Sequence, residues 1–287
     1  MSRPCRRPRA SALPGPVSLA HGPPPAALRC VTFLAPKLLG FYTFLAGRVA
    51  RSLGCRVEVV VATSYDDLDA ADVAFVCGLP YVERTRRGDC PVEPIAAPVL
   101  RGARYGGRPI YFSDVIVRRD SPCRSFADLR GRSWAYNEPL SQSGYGITRF
   151  VLARDGHAKG YFGRVVEAGW HERAVELVAT GECDASAIDS QLLAVMFRDD
   201  PALADELRVI ETLGPSTIQP VVVSRRLPRP VKSELQRTFL SLADDPAAQQ
   251  PLAAALVERF VPVGDGDYDD LRRMSEAALT AGWHSLD

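Results

Sequence analysis

At 287 residues, with 46% apolar and 24% charged side chains, the chain has ordinary globular usage and enough length for about two compact domains. That composition excludes a fibrous design and disorder of the bulk of the chain. Its 35 basic and 34 acidic residues leave a net charge of +1, so there is no broad field for nucleic acid or an anionic membrane, and any anion specificity must be local.

In chain order, residues 1–28 are rich in Arg and Pro, with no apolar run long enough for a signal sequence, and read as a disordered leader. The run "VTFLAPKLLGFYTFLAGRVA" is interrupted by Pro36, Lys37 and Arg48, so it is no membrane span. From Arg29 onward strand-like and helix-like stretches alternate, which is the mark of an α/β fold. "RCVTFLAP" predicts a strand, and "LLGFYTFLAGRVARSLG" a helix ended by Gly54. "RVEVVVATS" predicts a strand covered on both faces, followed by a short helix in "SYDDLDAA" and a strand in "DVAFVCG". The long run "GGRPIYFSDVIVRRDS" predicts a strand that carries the chain from one lobe into another.

The rhythm then restarts with a helix capped by Ser125, a strand in "RSWAYN", a helix closed by Gly156, and a strand in "YFGRVVEAG". A helix in "HERAVELVATGE" and a buried strand in "CDASAIDS" follow. "LRVIETLGPSTIQPVVVSRRLP" predicts the return crossing, and the C-terminal helices, including "YDDLRRMSEAALTAGW", are expected on the first lobe. The expected layout is residues 29–111 plus 217–287 as lobe one and 112–216 as lobe two, with a hinged cleft between them. The seven cysteines are odd in number and never spaced C-x-x-C, which argues against a zinc site or a disulfide framework. A Cys90–Cys123 bridge stays open at this level.

The segment "NEPLSQSGYG" lies between a strand and a helix, where about four N–H groups have no partner within the helix. Ser141 and Ser143 could cap that helix or, with the bare backbone beside Gly144, cradle an anion. Ser143 lies in no G-x-S-x-G elbow, and spacing pairs it with no His or Asp; neither a metal pattern nor a P-loop occurs.

The stretch from "YFSDVIVRRDS" through "LSQSGYG" and "AGWHERA" to "GECDASAIDS" resembles the phosphate/phosphonate-type substrate-binding proteins of ABC transporters in the order of its motifs. "DVAFVCGLPYVER" is similar to that family's segment in which a strand ends near a ligand-facing tyrosine. The resemblance implies a two-lobed type 2 periplasmic-binding-protein fold with two hinge crossings. It makes Ser141 and Ser143 hydroxyl donors, with backbone N–H groups of Gln142, Ser143 and Gly144 completing the nest and Tyr145 closing the loop. It assigns His171 to another ligand oxygen, Tyr42, Tyr81 and Tyr111 to the facing lobe, and Asp189 either to an ammonium group or to a helix cap. Gln142, in place of a small hydroxyl residue, is expected to narrow or re-aim the nest, and "GPSTIQP" shows no acidic residue at the second crossing.

The function expected from this resemblance is capture of a small oxyanion, phosphate, phosphite or a phosphonate, for an ABC importer. The protein would be a monomer with an ABC permease as partner, without cofactor, nucleic acid or catalysis. It would be periplasmic or at the cell surface if exported, and cytoplasmic if the leader is no signal. The rivals are a cytoplasmic enzyme of cofactor biosynthesis on the same fold and a ligand-sensing regulatory domain; the latter lacks a helix-turn-helix pattern to read DNA.

Overall fold

A computed structural model describes residues 25–62 and 64–286. Cys5 and most of the expected leader lie outside them, although β1 (Ala27–Thr32) already begins within residues 1–28. The chain continues through α1 (Leu39–Leu53), β2 (Arg56–Val61), α2 (Asp67–Ala70), β3 (Val73–Phe75), α3 (Gly78–Arg87) and β4 (Val92–Leu100). It then crosses into β5 (Ile110–Arg118), β6 (Ser133–Tyr136), α4 (Ile147–Arg154), β7 (Arg164–Glu167), α5 (His171–Ala179), β8 (Ala185–Asp189), α6 (Ser190–Asp199), α7 (Pro201–Glu206) and β9 (Leu207–Thr217). It returns through β10 (Val221–Ser224), α8 (Arg229–Leu240), α9 (Gln249–Ala254), β11 (Val257–Pro262) and α10 (Asp269–Thr280).

Two sheets result, in the strand orders β11-β4-β10-β3-β1-β2 and β7-β6-β8-β5-β9. The parallel pairs β1–β2, β1–β3, β6–β7 and β6–β8 each need a crossover, which the intervening helices supply. Helix α1 buries Phe41, Tyr42, Leu45, Ala46, Val49 and Leu53, the three-and-four spacing of one helical face, and Gly54 ends it with a left-handed φ of 62°. The two crossings run side by side: β5 and β9 are antiparallel neighbours from Ile110–Thr217 to Arg118–Leu207.

Two expectations are corrected, and one open alternative is settled. Strand β2 is not covered on both faces: it is the edge of the first sheet, and Val59 and Val61 are exposed. Helix α10 does not keep to lobe one. It packs on α4 and β9 as well as α3, and Ala278, Trp283 and Leu286 join the core of the second lobe, because its apolar residues face both sides of the junction. Cys90 and Cys123 are free thiols, one against the first-lobe core and the other inside the second.

The C-terminal segment is therefore part of what holds the second lobe together. Replacing the fully buried Trp283 by Ala should cost about 3–5 kcal/mol of stability, read as a lower urea midpoint. A shift no larger than that of a surface substitution would refute this packing.

Candidate ligand-binding site

Strand β6 runs up to the cleft and hands the chain to residues 137–146. Gln142–Gly146 form one wide helical turn that continues into α4, and Ser141 caps it: its Oγ accepts the Gly144 N–H at 3.1 Å. Two glycines make so tight a loop possible. A Cβ on Gly144 would lie 2.1 Å from Asn137 Oδ1, and one on Gly146 would lie 2.5 Å from Gln142 Oε1.

The polar groups converge at this turn. Ser141 Oγ is 3.3 Å from Ser143 Oγ, which is 2.8 Å from His171 Nε2 at the first residue of α5. All three side chains are buried, and with Asp189 and Tyr42 they line a cavity of about 50 Å³ between the lobes. That is room for a few water-sized groups, the scale of a small tetrahedral anion. Cys77, Asn137, Glu138, Gln191 and Gln219 complete the polar part of the wall. Asp189 both caps α6 and faces the cavity: Oδ1 accepts the Gln191 and Leu192 N–H groups at 2.8 and 3.2 Å, and Oδ2 accepts Gln219 Nε2 at 2.6 Å.

Burial sets the protonation of these groups. It pulls the His171 imidazole down to about 4, so the ring is neutral at neutral pH and offers one donor rather than a charge. Burial likewise raises the Asp189 carboxyl to about 6, against the three hydrogen bonds that favour its ionised form. The Tyr42 phenol is raised by burial and by the charge of Asp189, so it stays a neutral donor. No lysine or arginine lines the cavity among the described residues. What favours an anion here is the starts of helices: the turn before α4 and the first residues of α5 and α6 all open on this wall.

Other expected site residues stand elsewhere. The side chain of Gln142 does not line the cavity. It turns away and donates to Ser216 Oγ at 3.2 Å and Met274 Sδ at 3.4 Å, tying the turn to β9 and α10. The backbone N–H of Gln142 is taken by Cys77 Sγ at 3.3 Å and that of Gly144 by Ser141, so two of the three expected nest donors are already engaged. Tyr145 packs on Tyr136 and under Arg149, and Tyr81 points down α3 to donate to Asp265 Oδ1 at 2.5 Å; neither lines the cavity. Tyr111 is buried behind the serines; Ser143 is near enough to temper its raised pKa, but no well-formed hydrogen bond reaches its hydroxyl. Sequence reasoning missed Gln191, Gln219, Trp170 and Glu138 as wall residues. Glu138 stood inside the loop already singled out, whereas the two glutamines come from helix α6 and the second crossing with no local motif to mark them.

The Ser143–His171 contact is an arrangement of the kind nucleophilic chemistry uses, and spacing had not disclosed it. A working base needs a third group behind the imidazole, and His171 Nδ1 has no partner. The geometry suits two ligand donors.

The opposite shifts of His171 and Asp189 make a stability prediction. Between pH 6.5 and about 4 the folded state holds fewer protons on His171 than the unfolded chain does, so stability present above pH 6.5 is lost as pH falls, up to about 3 kcal/mol. Asp189 is the reverse: between about 6 and 3.8 the folded state holds more protons, so falling pH removes a penalty of similar size. Asp189→Asn should therefore expose the His171 slope in urea titrations from pH 7 to 4, and His171→Gln should expose the opposite one. Profiles parallel to the parent chain would show that these groups do not titrate as stated.

The family described as "ABC transporter, phosphonate, periplasmic substrate-binding protein" matches residues 36–268. The phosphonates-binding periplasmic protein of Escherichia coli (strain K12) is 25% identical over 209 residues, which cover 68% of this chain and 59% of that protein. The chain thus spans less than two thirds of that relative's length. A binding protein component of an ABC phosphonate transporter from Pseudomonas aeruginosa superposes with a TM-score of 0.77 at 19% identity, over 89% of this chain and 87% of that one. PhnD1 from Prochlorococcus marinus (MIT 9301), solved in complex with methylphosphonate, gives a TM-score of 0.72 at 16% identity, over 88% and 97%. These likenesses show the type 2 periplasmic-binding-protein fold. With the match extending from Pro36 past the second crossing to Tyr268, the chain belongs to the family of periplasmic substrate-binding proteins of ABC phosphonate transporters.

Proposed function

We propose that this protein captures a small tetrahedral oxyanion, a phosphonate, phosphite or phosphate, and presents it to the permease of an ABC importer on the periplasmic side of the membrane. The observation that carries this reading is the cluster of Ser141 Oγ, Ser143 Oγ and His171 Nε2, joined at 3.3 and 2.8 Å, in a small interlobe cavity on which helix starts converge. Neutral hydroxyl and imidazole donors in a small buried cavity suit an anion whose charge is spread over several oxygens. Residues 112–216 act as the moving lobe, hinged where β4 gives way to β5 and β9 to β10, and the ligand draws the lobes together by touching both. The role is binding by a monomer, without cofactor or catalysis. The enzymatic alternative gains no support from the Ser143–His171 pair, whose imidazole has no carboxylate to orient it.

Calorimetric titration with phosphate, phosphite, methylphosphonate, aminoethylphosphonate and sulfate tests the reading. At least one of the phosphorus oxyanions should bind at micromolar Kd or tighter. Ser143→Ala should weaken that ligand roughly 10- to 100-fold, the worth of one hydrogen bond to a charged group. A folded parent chain that binds none of the five would overturn the proposal.

A further inference from the structure

No basic side chain lines the cavity among the described residues, but a charged one lies buried behind the serine turn. Arg149, the third residue of α4, is 7% exposed, and its guanidinium carbon stands 4.8 Å from the ring centroid of Tyr145, a residue of the turn itself. That ring packs on Tyr136 of β6 with centroids 4.9 Å apart, and the next residue, Asn137, lines the cavity. Residues 142–146 are all buried, so protein rather than water separates the charge from the cavity.

The contacts of Arg149 do not require its charge. Its Nη1 donates to the carbonyls of Trp283 and His284 at 3.2 and 3.4 Å, bonds that a neutral donor would also make, and its Nε has no partner. Among the described residues no carboxylate forms an ion pair with it; Glu83, which acts on it through space, is held by Arg86 and by Ser275 Oγ at 3.0 Å. Burial lowers its pKa, yet a guanidinium stays charged in proteins. A cation in the first turn of a helix also opposes the helix dipole. An unpaired, buried cation at that end of α4 is a cost to folding that its packing does not repay.

We propose that Arg149 is a specificity-determining residue: its charge, acting through the buried turn without touching the ligand, sets the preference of the serine cavity for oxyanions and, among them, for dianions. The proposal rests on the oxyanion reading of that site. Ser143 and Arg149 are six positions apart, about 9 Å of helical rise. At that distance one buried charge changes the affinity for an anion by roughly fivefold per ligand charge, between the limits set by water and by a protein-like dielectric. The sign meets a need of the site. Asp189 and Glu138 stand on the cavity wall and no basic side chain does, so Arg149 and the start of α4 supply the positive potential that offsets them.

The test is calorimetric titration of the parent chain, Arg149→Gln, Arg149→Lys and Glu83→Gln with phosphate, phosphite and methylphosphonate. Each is measured at about pH 5.5, where these ligands are monoanions, and at about pH 8.5, where they are dianions. Asp189, Glu138 and His171 titrate in parent and variants alike, so their own pH dependence drops out of the affinity ratios. Arg149→Gln, which keeps donors for the two carbonyls, should bind roughly fivefold more weakly at the lower pH and roughly 25-fold more weakly at the higher, and Arg149→Lys should lose much less at both. Glu83→Gln leaves the guanidinium packed and removes a negative charge near it, so the dianion should bind roughly twofold tighter; this arm decides the matter if Arg149→Gln does not fold. Equal losses at the two pH values, a loss in Arg149→Lys as large as in Arg149→Gln, or no gain in Glu83→Gln overturns the inference and leaves the oxyanion reading standing. A folded parent chain that binds none of the ligands overturns both.

Discussion

The pairing of β5 with β9 is the constraint on which the rest of the molecule depends. The chain passes from the first sheet to the second and back once, by two strands that lie next to each other, before α10 packs across both lobes. The short segments where these strands meet β4 and β10 are the two backbone links between the sheets. The same pairing sets Ser216 of β9 under the turn at Gln142, so the crossing that defines the hinge also anchors the loop that carries the binding hydroxyls. Cleft and hinge are consequences of one antiparallel ladder.

The cavity gathers helix starts and hydroxyls without basic side chains, the arrangement on which the proposed anion reading rests. Three helices begin at its wall, and each brings N–H groups that the helix itself cannot use. Part of that potential is spent internally. Asp189 takes two N–H groups at the start of α6, Ser141 takes one before α4, and Cys77 takes another. What is left is carried by the hydroxyls and by a neutral imidazole, groups that can donate without a fixed charge. Burial keeps His171 neutral and Asp189 near the point of protonation, so the field inside the cavity depends on solvent exclusion as much as on residue type.

Much of the fold was legible because its signals are local. Helix α1 shows its buried face at every third or fourth residue and ends at a glycine; β8 is a short apolar run bounded by turn residues. Strands β4 and β11 were not predicted. "VEPIAAPVL" carries two prolines, which argue against a central strand, yet β4 lies between β10 and β11. Pro94 is accommodated where the pairing with β10 shifts register. The coverage of β2 was misread because a run of valines looks the same in an edge strand as in a central one. In the site, Ser141, Ser143, His171, Asp189 and Tyr42 come together as the motif order implied. Tyr81 does not, because its hydroxyl is claimed by Asp265, 184 positions along the chain, and no local pattern announces such a partner.

The hydrogen bond from Tyr65 to Glu138 joins the first lobe to the second at the cavity mouth, and on the same side of the cleft the Lys37 N–H reaches Glu172 at the start of α5. Both must break before the lobes separate, whatever the ligand. A contact of this kind adds to the barrier for escape without adding to recognition, at about 0.5–1.5 kcal/mol for each net bond, or up to roughly tenfold in residence time. In the binding role proposed above, selectivity and dwell time would fall to different residues, the first to the serine turn and the second to Tyr65 and Lys37, and the second is what a permease would have to undo.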